Sequence, residues 1–228
     1  AAKSGLLFMV EENGRLVAFD TGSQTPLWTA PLSSESVVAP LTAGDVVIVQ
    51  TIDGRLTAFG LKDGVRRWEY VSATEPALSL RGNAVPLEFQ DTVIAGLSNG
   101  SVVSLAVRSG ELLWEQRVAS PKGRTELERL VDVDSAILMA GGRLFVVAYQ
   151  GRLVELDPYN GAVLWAVDTS SYADMGVGYD ALFLTTPEGT VRAFRRDGGA
   201  RLWSNDEFAY RYLGAVLAWD ARVFVPDF

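Results

Sequence analysis

Two short stretches of this 228-residue chain put chemically useful side chains at alternate positions: Leu78 and Leu80 beside Arg81, and Asp132 two residues before Asp134. In an extended segment residues i and i+2 point to the same side, so each pair presents one face. Paired carboxylates suit a hard cation, which takes oxygen ligands, but two are fewer than such an ion requires. The same aspartates can instead pair with Arg81, Arg124 or Arg129, or form a solvated acidic edge. Leu78, Leu80 and Arg81 also admit two readings. Aliphatics flanking an arginine make an interface anchor, whereas leucines turned into a core leave the arginine as a rim charge.

Most other chemistry is closed to the chain. It has no cysteine and no histidine, which removes thiolate nucleophiles, disulfides, the imidazole base and most transition-metal sites. No catalytic, cofactor-binding or metal-ligating residue is assigned, and no cofactor is expected. Acidic residues outnumber basic ones 28 to 20, for a net charge of −8, which argues against nucleic acid as a partner because phosphate binding wants a basic face. Proteins or small molecules remain. No apolar run approaches the roughly 18 residues of a membrane span. The opening AAKSGLLFMV lacks the basic and long apolar regions of a signal peptide and reads as the interior of a longer protein.

The elements that position these stretches are repeats. A glycine is followed fourteen residues later by a tryptophan at Gly14/Trp28, Gly54/Trp68, Gly100/Trp114, Gly151/Trp165 and Gly189/Trp203, and successive tryptophans stand 40, 46, 51 and 38 residues apart. Four blocks carry a second glycine ten residues after the first (Gly64, Gly110, Gly161, Gly199), while the first block has Gln24 there. The glycines read as two-residue hairpin turns, and the apolar runs between and before them, such as LVAF and LLFMV, as strands. Such a period predicts an all-β propeller of four-stranded blades, about five of them. Trp28, Trp68, Trp114, Trp165 and Trp203 are expected to cement each blade to the next, a ring of that size burying roughly 150–250 Å². Trp219 lies outside the register. A sixth copy of the pre-glycine strand, DARVFVPDF, closes the chain, so residues 1–228 read as a single incomplete propeller domain with unpaired terminal strands.

Both functional stretches fall where the repeat is interrupted. The surplus residues follow Trp68 and Trp114, at equivalent points of adjacent blades, and equivalent points lie on one side of a propeller disc. Loops on a rigid repeat scaffold are where function is usually placed.

The pattern A-x-D-x-x-x-G-x-x-x-W, spread over Ala18, Asp20 and Trp28, over Ala58, Gly64 and Trp68, and over Asp157, Gly161 and Trp165, resembles the tryptophan-docking motif of quinoprotein-like propellers. Within that superfamily, ALSLRGNAVP at 77–86 and RTELERLVDVD at 124–134 are similar to segments of the BamB family, lipoprotein subunits of the outer-membrane β-barrel assembly machinery. The resemblance implies an eight-bladed ring at the periplasmic face of the outer membrane, lipid-anchored through a cysteine outside this segment and bound to the POTRA domains of BamA. It maps the BamA contact onto Leu78, Leu80, Arg81, Asp132 and Asp134. The function implied is a non-enzymatic scaffold aiding insertion of outer-membrane proteins, with nascent outer-membrane proteins as further partners at exposed strand edges. The alternative from another class is a quinoprotein dehydrogenase using pyrroloquinoline quinone and calcium, which resembles the chain in its docking tryptophans but typically carries a vicinal disulfide that this sequence lacks. A third reading is a propeller that senses a small molecule.

Overall fold

The computed structural model describes residues 1–73, 84–119, 133 and 137–227. Among these there are five four-stranded antiparallel sheets and one two-stranded sheet, and no helix. Each block supplies the third and fourth strands of one sheet. Blade 1 runs Ala2–Lys3, Leu6–Glu11, Arg15–Asp20 and Pro26–Pro31. Blade 2 runs Leu41–Ala43, Val46–Gln50, Arg55–Gly60 and Arg66–Val71; blade 3 runs Leu87–Phe89, Thr92–Gly96, Ser101–Ala106 and Leu112–Arg117. Blade 4 holds Leu138–Ala140, Arg143–Val147, Arg152–Leu156 and Val163–Asp168, and blade 5 holds Gly176–Val177, Ala181–Thr185, Val191–Arg195 and Arg201–Asn205. Leu217–Trp219 pairs only with Arg222–Phe224, and that pair belongs to a different sheet from Leu6–Glu11.

The core lies between sheets, as apolar residues on both faces of a strand require. In Val46–Gln50 all five residues are buried, yet alternate side chains serve different seams. Val47 and Val49 pack with Phe8 and Leu16 of blade 1, whereas Val46 and Ile48 pack with Val93 and Val103 of blade 3. The same alternation joins blade 3 to blade 4 and blade 4 to blade 5. In every blade a β-bulge follows the residue paired with the tryptophan: Ala18, Ala58, Ser104, Glu155 and Ala193. A bulge adds local twist and re-aims the strand.

The turns are longer than the two-residue turns the sequence suggested. Gly14 donates its N–H to the Glu11 carbonyl at 3.0 Å while Glu11 pairs with Arg15, a three-residue loop with glycine in the left-handed position. The second turn spans four residues, with the Gly64 N–H on the Gly60 carbonyl at 3.0 Å and the Gly60 N–H on Val65 at 2.9 Å. Gly151 departs from its block. Gln150 takes the positive φ of 50° there, and a Cβ on Gly151 would stand 2.6 Å from that of Ala119, so close packing is what demands the glycine.

Aspartates fix two of the longer turns. The backbone N–H of Ser23 at 2.7 Å, the Ser23 hydroxyl and the Gly22 N–H hold Asp20 below the ordinary carboxylate range. The Val65 N–H at 3.0 Å, helped by Arg67, does the same for Asp63. A folded-state pKa below the unfolded one means stability that is present above about pH 4 and lost as pH falls through the folded value. Replacing both aspartates with alanine is therefore expected to flatten the fall of melting temperature as pH drops below about 4; an unchanged slope contradicts this assignment.

Candidate partner interface

The two interruptions leave the scaffold in the same way. After the tryptophan strand of blade 2, Ser72 donates its N–H to the carbonyl of Gly54 at 3.4 Å and its hydroxyl accepts from Asn99 Nδ2 of blade 3 at 3.2 Å. After the tryptophan strand of blade 3, the N–H groups of Val118 and Ala119 both reach the Gly100 carbonyl, at 2.9 and 3.0 Å. Each exit is thus pinned to the block-glycine turn of its own blade, which places both on one side of the disc.

Leu78, Leu80, Arg81, Asp132 and Asp134 lie outside the described residues, but two residues close to them in sequence do not. Ala84, three residues after Arg81, and Val133, between the two aspartates, are both buried in the core joining blades 3 and 4. The Ala84 N–H donates to the Val133 carbonyl at 3.2 Å, so the end of one interruption is tied to the end of the other. Val133 in turn sits on Gly96, where an added Cβ would stand 2.5 Å from Val133 Cγ1 and 3.1 Å from its carbonyl oxygen. Sequence reasoning missed this contact, although the apolar valine inside an acidic D-V-D was a visible signal for an inward-facing position.

Four of the five block tryptophans meet the next blade. The rings of Trp28, Trp68, Trp114 and Trp165 cover Gly64, Gly110, Gly161 and Gly199. The indoles of the first three donate to the carbonyls of Leu61, Val107 and Pro158 at 3.0, 2.7 and 3.1 Å. Trp203 differs in being 41% exposed; like Trp28 on Phe8 and Trp165 on Phe145, it packs on a phenylalanine of its own blade, Phe183, at 5.8 Å between centroids. Together with Phe183, Tyr179 and Trp219 it lines an open cavity of about 650 Å³ against the two-stranded sheet. Among the described residues no three carboxylates converge on a point that could hold a metal ion.

Residues 1–205 match the family model described as outer membrane protein assembly factor BamB. The chain is 41% identical over 155 residues to the outer membrane protein assembly factor BamB of Pseudomonas aeruginosa, an overlap covering 68% of this chain and 41% of that protein. The crystal structure of BamB from Moraxella catarrhalis superposes with a TM-score of 0.92 at 28% identity, over 98% of this chain and 67% of that one. A europium-containing methanol dehydrogenase shares the fold alone, with a TM-score of 0.73 at 12% identity over 92% of this chain and 50% of that one. The chain spans about half the length of the curated relatives it matches.

Proposed function

The chain belongs to the BamB family, and from that premise we propose that it is a segment of a larger propeller serving, without catalysis, as a scaffold in the assembly of outer-membrane β-barrel proteins. It works at the periplasmic face of the outer membrane, lipid-anchored through a cysteine outside these residues, and binds the POTRA domains of BamA. The block tryptophans hold the blades in line, and the two interruptions form the partner surface. Nascent outer-membrane proteins are further partners, at exposed strand edges.

The observation that carries this reading is the Ala84–Val133 hydrogen bond. Arg81 is three residues from one end of that bond and both aspartates adjoin the other, so the chain keeps the two sets within reach of one partner domain. The leucines supply apolar contact, Arg81 reaches a carboxylate or carbonyl opposite, and the aspartates accept from basic or backbone donors. In the full-length protein, Leu80→Ala, Arg81→Glu and Asp134→Ala are each expected to weaken binding to the BamA POTRA domains by about 2 kcal/mol, roughly thirtyfold, at constant melting temperature. The opposite pattern, with affinity unchanged in all three and Leu80→Ala losing about 2–5 kcal/mol of stability, would place these residues in the core instead.

A further inference from the structure

The seam between blades 4 and 5 is fastened differently from the other three. At those three, the tryptophan indole donates across the seam to the carbonyl of the seventh residue after the next block glycine: Leu61, Val107 and Pro158. The seventh residue after Gly189 is Arg196. Trp165 donates instead to Glu155 Oε2 within its own blade.

The cause lies at one position. The residue paired with the tryptophan is Ala18, Ala58, Ser104 or Ala193 in the other blades and Glu155 in blade 4. Glu155 is fully buried, and its other carboxylate oxygen lies 2.6 Å from Arg143 Nη1. A buried carboxylate must find partners, and a charged acceptor outcompetes a neutral carbonyl for an N–H. The indole is the donor at hand. Arg143 is 49% exposed and reaches Asp197 of blade 5 only at 3.8 Å, with that aspartate almost fully solvated, a pairing worth little. The Trp165 ring still covers Gly199, so the apolar contact across the seam is kept and its hydrogen bond is not.

We propose that Glu155 unlatches this seam, making the joint between blades 4 and 5 the loosest of the four seams between the four-stranded blades, a built-in hinge at which the propeller opens locally. The hinge is set by competition for one N–H. Removing the carboxylate should return the indole to the Arg196 carbonyl, the arrangement that accompanies alanine and serine at the other seams.

The test is hydrogen exchange on the full-length protein, following the amides of Ala181–Thr185 and Val191–Arg195 in blade 5, with Val46–Gln50 in blade 2 as the internal reference. Glu155→Ala is expected to slow blade 5 exchange about fivefold relative to blade 2, the effect of one regained hydrogen bond on a local opening equilibrium. Glu155→Ser, which copies blade 3, should do the same and decides the matter if the alanine variant fails to fold. Slower exchange confined to blade 5 in either folded variant supports the hinge. Exchange that stays the same or quickens there overturns it.

Discussion

Trp114→Ala is expected to remove about 3–5 kcal/mol of stability, read as a fall in the denaturant midpoint at constant slope. Trp114 is 9% exposed and lies in the shared core of blades 3 and 4, with its ring on Gly161 and its indole N–H on the Pro158 carbonyl at 3.1 Å. Truncation therefore removes a large buried surface from both blades at once and leaves a void that the stiff sheets cannot fill. Trp114→Phe separates the contributions. It keeps most of the ring, loses the hydrogen bond and strands the Pro158 carbonyl, for an expected loss of about 1–2 kcal/mol. If phenylalanine were as damaging as alanine, the hydrogen bond rather than the packing would be what holds the seam.

The regular part of this architecture was legible because it repeats. A glycine and a tryptophan fourteen residues apart mark a hairpin and a docking ring, and five copies leave little freedom over what kind of sheet results. Seam chemistry was less legible. In the sequence Glu155 is one polar residue in the strand RLVEL, with nothing to separate it from an outward-facing position; the structure sets it against Trp165 and buries it. Comparing the five blocks column by column would have singled it out against three alanines and a serine. Val133 was hidden for a related reason. Reading D-V-D for its charges assigns the face of the aspartates and leaves open what the valine packs on, and Gly96, 37 residues earlier, carries no mark of that contact. Turn length also escaped, since glycine at a left-handed position fits loops of two, three or four residues and the strand pairing decides among them.

The second glycine of the four blocks that carry one acquires a different reason in the structure from the one its turn suggests, and Gly110→Val tests it. Gly110 has φ of +70°, and a Cβ there would stand 2.6 Å from Cδ2 and 2.7 Å from Cε3 of Trp68, whose indole is held on the Val107 carbonyl at 2.7 Å. The ring cannot withdraw without breaking that bond. A β-branched residue in the left-handed region costs roughly 1–2 kcal/mol, and overpacking against an immobile ring adds roughly 1–3, so the expected loss is about 3 kcal/mol. Backbone conformation alone does not demand glycine here, because Gln24 occupies the same turn position in blade 1 with φ of +56° and is exposed. Gln24→Ala is accordingly expected to change stability by less than about 0.5 kcal/mol. Chemical denaturation of the two variants side by side reads both figures. A small loss for Gly110→Val would mean that the Trp68 ring yields, and that the seams between blades are softer than a tryptophan fixed by its own hydrogen bond allows.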